Sequence, residues 1–461
     1  MTAETAALEG GTFRSELREL LGLAMPIALA QLGLMALGVV DTAVVGRLGE
    51  RELGGVGLGN AVFFTMGLFG AGLLLGFDPL IAQAIGAERK DRARALMWQG
   101  TWVAGVVTVP VALATSLIAH ALDSLGVEPA TAALAARYVD ARLLGLPPFL
   151  AFMVVRVFLQ AHGLTRPMLV SVVVANVINA PLAWLLVHGD HGLVRIGLPG
   201  IGVPALGVLG AGLASTVVAF IQLAIVGNAA LAVERGSHPW RPKPREWRAP
   251  LGLGVPAGLQ RLAEAGAFSI TGVLMARLGT LSVAAHQVAI TLSSVTFMAC
   301  LGLSAAASVR VGHAIGRGDV AHARRAGLVA LVVAAAYMLG CGVAFALAPR
   351  FLARFLTDQE AIVLASGPLI FVAAVFQISD GLQVVATGAL RGVGDTTLPL
   401  VLNLVGYYAL GLPIGMLLAY ELGLGGVGLW WGLCIGLSVV AIALTLRFAR
   451  VTRGSIAALE I

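Results

Sequence analysis

Charge is scarce in this chain. Only 12% of its 461 residues are Asp, Glu, Lys or Arg, against 58% hydrophobic, where soluble globular proteins carry about 25% charged residues. A chain this apolar cannot hide its side chains in a water-soluble core, because even large domains leave much apolar surface outside. Lipid is the solvent it fits. The formal net charge of +6 therefore gives no sign of a nucleic-acid partner, since the basic residues fall in the gaps between apolar runs. Cysteine is rare as well. Cys300, Cys341 and Cys434 lie inside apolar segments without metal-ligand spacing, which reads as small packing residues.

Other signatures are missing altogether. No loop of the form GxxxxGK[ST] occurs, so no nucleotide site is built in. There is no zinc-type His/Glu spacing and no credible nucleophile constellation, and no enzymatic activity is expected. His286, beside Gln287, is the one histidine in an intriguing place. The segment Met1 to Glu19 is polar and lacks the apolar core and cleavage site of a signal peptide. The first apolar run is expected to act as its own insertion signal.

What the chain has in abundance is apolar runs of about 20 residues, the length that spans a bilayer as a helix. They fall near 20–45, 54–78, 97–120, 143–160, 168–188, 203–230, 251–276, 284–308, 326–348, 366–390, 398–419 and 425–449. The runs are continuous and do not alternate, which excludes a strand barrel. The fold class expected is thus an all-α integral membrane protein of twelve transmembrane helices. Of the 30 Lys and Arg, about 20 lie in the termini and even-numbered loops and about 8 in the odd-numbered loops, which places both termini in the cytoplasm.

The polar stretch Glu234–Arg248 (ERGSHPWRPKPREWR) marks a linker in mid-chain. It separates two related halves. At a shift of about 230 residues, Leu21-Gly22-Leu23 falls on Leu251-Gly252-Leu253, and Pro26 falls on Pro256. Arg47-Leu48-Gly49 falls on Arg277-Leu278-Gly279, and Ala84-Ile85-Gly86 on Ala314-Ile315-Gly316. Six helices per half is an even number, so both halves enter the membrane in the same sense, as a parallel repeat. The division expected is an N-terminal segment 1–19, a lobe 20–230, a linker 231–250, a second lobe 251–449 and a tail 450–461.

Three carboxylates sit inside apolar runs: Asp41, Glu264 and Asp380. Each costs about 2.5–3.5 kcal/mol if charged at mid-membrane, so such acids normally face a protein cavity and bind ions, protons or cationic cargo. Asp41 lies about 6 Å in helical rise from the end of its run, and a snorkelling interfacial acid is the alternative there. Glu264 follows Arg261 by three residues on one helix face, which leaves a structural ion pair open. Asp380 has no basic residue within a turn on its own helix. Asp78 reads as an interfacial or capping group. Pro26 and Pro256, and Pro181 and Pro413, interrupt corresponding helices, either as tolerated irregularities or as bends that move. Phe63, Phe64, Phe268, Phe297 and Met298 could line an apolar chamber that accepts cations, or could face lipid or other helices.

Four blocks of sequence together resemble the multidrug and toxic-compound extrusion transporters, in particular their bacterial NorM-like branch. They are Pro26…Gln31…Val40-Asp41-Thr42 with Gly46-Arg47-Leu48-Gly49; Gly254-Val255-Pro256…Glu264 with Arg277-Leu278-Gly279; Ala285-His286-Gln287; and Asp380-Gly381-Leu382-Gln383-Val384-Val385…Gly388-Ala389-Leu390-Arg391-Gly392 with Gly394-Asp395-Thr396. The resemblance implies two six-helix lobes in a V with a central cavity. It implies exchange of organic cations or drugs for inward-moving Na+ or H+, with no other cofactor. The family's first-helix acid falls on Asp41 and its second-lobe acids on Glu264 and Asp380, with Gln287 near them as Na+ or proton ligands. Gln31 joins the candidate cavity residues. The family's polar pair on the fifth helix is half kept, as Asn179 with Ala183 four residues on, so Asn179 is a possible polar site in the first lobe. A monomer in the bacterial inner membrane is the expected setting, with the lipid bilayer and small cationic molecules as partners. A flippase for a lipid-linked sugar is the alternative, but that cargo calls for several cavity Arg or Lys, and the intramembrane charges here lean acidic.

Overall fold

The computed structural model describes residues 3–195, 197, 199–200, 202–233 and 240–459. Residues 234–239 of the expected linker lie outside the described ones. Every regular element among the described residues is helical, as apolar backbone in lipid requires, because a helix satisfies its own N–H and C=O groups.

The chain opens with α1 (Ala3–Val45), a 43-residue helix with Pro26 inside it. Next come α2 (Glu50–Leu74) and α3 (Phe77–Gly86), which together form one 37-residue membrane-length stretch. After α4 (Lys90–His120), the short helices α5 (Pro129–Leu143) and α6 (Leu146–Ala161) are bent by 51° at their junction. Pro147 and Pro148 open α6; they lack the N–H groups that would continue α5, and fit best in a first turn. In α7 (Arg166–Arg195) the helix kinks at Gly189, whose φ of 57° favours glycine. The first half ends with α8 (Val208–Ala232).

The second half starts with α9 (Arg248–Arg277), α10 (Thr280–Gly316), α11 (Val320–Leu347) and the short α12 (Pro349–Arg354). It continues with α13 (Glu360–Val393) and α14 (Thr397–Leu404). Past α14 the helix widens to π geometry over Val405–Gly411, tightens in α15 (Leu412–Met416), and widens again over Leu417–Glu421. The last helix is α16 (Gly425–Val451). The π segment relieves the ring clash and missing hydrogen bond of Pro413. It also sets Gly406, Gly411 and Gly415 against Gly432 and Gly436 of α16, where a Cβ at Gly432 would collide with Gly415 backbone.

Among the described residues, ten helical stretches are long and apolar enough to cross a membrane, and eleven if the bent α5–α6 pair is one span. The remaining expected run is α9. It is 30 residues long, enough at about 1.5 Å per residue, but Gln260, Arg261 and Glu264 dilute its apolar character.

Packing gathers the chain into two compact units. One comprises Ala30–Phe77 and Lys90–Gly258, and the other Met1–Leu29, Asp78–Arg89 and Leu259–Ile461. Short segments thus group with the opposite half of the sequence. Glycine permits each exchange: a Cβ at Gly302 would meet the Ala24 carbonyl, and one at Gly316 the Gln83 carbonyl, in the second unit. In the first unit, a Cβ at Gly254 would collide with the Leu73 carbonyl. Within that unit α7 packs on α8, α2 on α5, and α6 on α4 and α8. Within the other, α13 sits among α10, α11 and α16, and Ser304 Oγ donates to the Val384 carbonyl at 2.7 Å where Gly388 lets α10 and α13 touch.

Candidate functional site

The acids expected within the spans fall in a separate buried cluster in each unit. In the first, Asp41 is 2% exposed and fully engaged. Asn179 Nδ2 on α7 donates to its Oδ1 at 2.8 Å. Ser215 Oγ on α8 donates to its Oδ2, and so does Arg142 Nη1 on α5, at 3.3 Å. Arg142 also donates to the Tyr138 hydroxyl, one turn earlier on the same helix. Its guanidinium lies 4.6 Å from the centre of the Phe63 ring and 5.6 Å from that of Tyr138, within cation–π range. Asp41 is therefore no snorkelling surface acid. Four helices converge on it, and its charge is balanced by the partly buried guanidinium of Arg142.

Neither Arg142 nor Ser215 was singled out from the sequence. Arg142 falls just before the apolar run that starts near 143, so it reads as a loop residue, and the signal that could have found it is the Tyr138/Arg142 spacing of one helical turn. Ala183, which stands where the family pattern has a second polar residue, is fully buried in the apolar cluster around Val44, Val139 and Val187. Ser215 supplies the hydroxyl from a neighbouring helix instead. Gln31 accepts a hydrogen bond from Arg156 Nη1 at 3.2 Å. Phe63 is buried beneath Arg142, while its neighbour Phe64 is 58% exposed.

The second cluster is arranged differently. Asp380 on α13 is 6% exposed, and among the described residues it makes no hydrogen bond and no ion pair. Glu264 on α9 and Arg261 stand within electrostatic reach of it. Glu264 is 8% exposed and receives one contact, from Arg261 Nη1 at 3.4 Å. The buried hydroxyl of Tyr407, in the π segment, has no hydrogen-bond partner among the described residues and feels the charges of Glu264 and Asp380. Phe268 closes the cluster, edge-on to Phe376 and Tyr407 at 6.1 Å each. Polar pairs support the surrounding helices: Thr296 Oγ1 donates to Gln377 Oε1 at 2.6 Å, and Gln383 Nε2 to Asn403 Oδ1 at 3.0 Å.

Gln287, expected beside these acids, is exposed and donates to Thr291 Oγ1 at 3.4 Å. No hydrogen bond among the described residues joins it to Glu264 or Asp380. The preceding His286 is buried and accepts from Trp430 Nε1 at 3.1 Å, which ties α10 to α16. Phe297 packs against the apolar core of α10, α11 and α13, and Met298 is half-buried. No three His, Cys, Asp or Glu side chains gather as metal ligands among the described residues. Asp78 is more than a capping group. It is buried and receives Arg391 Nε at 2.8 Å.

Comparison with known proteins agrees with this architecture. The MatE family profile matches residues 26–185 and again 256–417, with starting points 256 − 26 = 230 residues apart, the register of the internal repeat. The chain is 39% identical over 450 residues to a probable multidrug resistance protein NorM of Bradyrhizobium diazoefficiens, covering 95% of this chain and 94% of that one. It is 38% identical over 457 residues to a probable multidrug resistance protein NorM of Deinococcus radiodurans, covering 96% and 97%. Among solved structures, the eukaryotic MATE transporter AtDTX14 superposes with a TM-score of 0.84 at 23% identity, over 96% of this chain and 99% of that one. A Vibrio cholerae MATE transporter, VcmN, superposes with a TM-score of 0.85 at 20% identity, over 96% and 98%. With the profile matched over both halves and the relatives aligned almost end to end, the chain belongs to the MatE family of multi-pass membrane proteins.

Proposed function

We propose that this chain is a secondary multidrug exporter of the bacterial inner membrane, moving organic cations outward in exchange for inward-moving Na+ or H+. The observation that carries the reading is Asp380: a carboxylate buried in a membrane-length helix, without hydrogen bond or ion pair among the described residues, near a second acid. Protein left in that state needs a mobile cation or proton to offset the cost of the charge. The names of the NorM relatives support drugs as cargo. Glu264 and the free Tyr407 hydroxyl complete the ligand set for that ion, with Phe268 as an aromatic wall. Gln287 would enter only through a rearrangement of α10.

Arginine does not favour the flippase alternative. Arg142 pairs with Asp41, Arg261 with Glu264 and Arg391 with Asp78, so these three cations are already committed to acids rather than free to hold a pyrophosphate. The monomer is the working unit in this reading, with both termini in the cytoplasm.

Efflux of a cationic dye from everted vesicles, under a sodium or a proton gradient alone, tests the proposal. One of the two gradients should drive efflux, and neither doing so would overturn it. Orientation is tested by cysteines introduced at Thr280 and Arg317, both exposed. Reagent added outside intact cells should label Thr280→Cys and spare Arg317→Cys, and the reverse pattern would invert the topology.

A further inference from the structure

One groove in the second unit is lined by cations that no acid holds. Its volume is about 340 Å³, and its walls include Phe13 of α1 with Arg324, Arg325, Leu328 and Val332 of α11. Among the described residues, Arg324 and Arg325 make no hydrogen bond and no ion pair. The acids close to them in the fold are spent elsewhere. Glu16 Oε1 accepts from Arg310 Nε at 2.9 Å and its Oε2 from Arg310 Nη2 at 2.6 Å, while Glu19 accepts from Arg310 Nη1. His322 Nε2 lies 3.2 Å from the same Glu16 Oε2. Asp319 caps α11 by accepting from the His322 N–H at 2.9 Å. These contacts hold α1 against α10 and α11, and they seat Phe13, one turn before Glu16, as a wall of the groove. A guanidinium with no acid beside it keeps its planar fork of donors free for an outside phosphate.

Beyond the arginines the same face of α11 is apolar. Leu328, Val332, Leu339, Val343 and Leu347 are all exposed, at spacings of four and seven residues that keep them on one side of the helix. From Arg325 to Leu347 the helix rises about 33 Å at about 1.5 Å per residue, which matches a hydrocarbon core of about 30 Å. With that stripe in lipid, the two arginines fall at the level of the headgroups, their stems along the apolar surface. A ligand that fits the groove carries negative charge at one end and hydrocarbon at the other.

We propose that the groove between α1 and α11 is a binding site for an anionic phospholipid. Its phosphate sits on Arg324 and Arg325, and one acyl chain lies along Leu328 and Val332 beside Phe13. The proposal goes beyond the exporter reading and needs no transport to test, so the two fail separately.

The experiment adds dioleoylphosphatidylglycerol to delipidated full-length protein in detergent and counts the lipids retained by native mass spectrometry. Dioleoylphosphatidylcholine, with the same chains and no net charge, and inorganic phosphate, with no chains, are the controls. Phosphatidylglycerol should be retained at lower concentration than either. Arg324→Gln/Arg325→Gln should weaken its retention about fivefold for each arginine lost. Arg89→Gln/Arg453→Gln, which removes as much charge from two exposed positions elsewhere, should not. Val332→Trp, which keeps both charges and fills the groove, should weaken retention as well. Equal retention of phosphatidylcholine would overturn the proposal, because the headgroup charge would then play no part. Equal weakening by the two arginine pairs would do the same, since the attraction would have no particular place. Phosphate bound as tightly as the lipid, or full retention by Val332→Trp, would leave an anion site without an acyl chain and overturn it too.

Discussion

The two units each bury an acid, at positions the repeat does not relate (at a shift of 230, Asp41 falls on Thr271 and Asp380 on Leu150), and one acid is saturated while the other is bare. Asp41 accepts from an amide, a hydroxyl and a guanidinium. Asp380 accepts from nothing among the described residues, and its neighbour Glu264 is held by a single contact at 3.4 Å. Burial is similar in both places, so exposure to solvent does not distinguish them. Supply of donors does. A carboxylate whose lone pairs are filled is part of the packing, while one left open in a low-dielectric setting is a place where an outside cation or proton gains the most.

The largest contrast should come from the same substitution made in each unit. Asp380→Asn removes a charge that the protein does not offset, so gradient-driven dye efflux should fall to background while the melting temperature holds or rises. Asp41→Asn leaves Arg142, whose side chain is 18% exposed, without its counter-charge. It should lower the melting temperature, at a cost smaller than the ~3–5 kcal/mol of a fully buried unpaired charge. Adding Arg142→Leu to Asp41→Asn should recover most of that loss, because the unpaired charge goes with it. Detergent melting of the three variants, with vesicle efflux of Asp380→Asn at matched expression, reads the contrast. Full transport by Asp380→Asn would remove the functional half of the comparison, and an unperturbed Asp41→Asn would remove the structural half.

A finer contrast lies inside the second cluster, between Glu264 and Arg261. Arg261 keeps 21% of its side chain exposed and makes one long contact, the kind of ion pair that contributes about 0–1 kcal/mol. Arg261→Ala should therefore cost little stability and preserve efflux, while Glu264→Gln should abolish efflux. If both single variants lose stability and transport and the double variant recovers them, the pair is structural and the ion-binding role of Glu264 falls.

Sequence patterning reaches the helices and the three acids but not their partners. Apolar runs of spanning length are visible because lipid demands them, and the offset of 230 residues is visible because Pro26 and Pro256 share a register. Asp41, Glu264 and Asp380 stand out because charge inside such runs is expensive. Arg142 does not, because α5 is too polar to read as part of a span and the bend after Leu143 hides that it continues into one. Ser215 and Tyr407 are ordinary residues in apolar helices. Only the crossing of α8 past α1, and the π segment that turns Tyr407, give them a role, and neither crossing nor π geometry has a local signature. Asp78 and Arg391 are 313 residues apart, and pairing over that separation is a matter of tertiary packing.

A third contrast separates two tyrosines. Tyr138 receives a hydrogen bond from the Arg142 guanidinium, and a bond to a charged group is worth about 1.5–3 kcal/mol. Tyr138→Phe should lower stability by an amount of that order and leave Arg142 less well held beside Asp41. The Tyr407 hydroxyl is buried with no partner among the described residues, so Tyr407→Phe removes an unsatisfied polar group and should be neutral or slightly stabilising. If that hydroxyl is reserved for the coupling ion, the same substitution should raise the concentration of driving ion needed for half-maximal efflux while the melting temperature stays put. Ion titrations of vesicle efflux, paired with melting curves for both variants, distinguish these cases. A Tyr407→Phe protein with unaltered ion dependence would leave Glu264 and Asp380 as the ion's protein ligands without the tyrosine. A Tyr407→Phe protein that melts as low as Tyr138→Phe would show that the hydroxyl is engaged after all, and that the second cluster is less open than the first is closed.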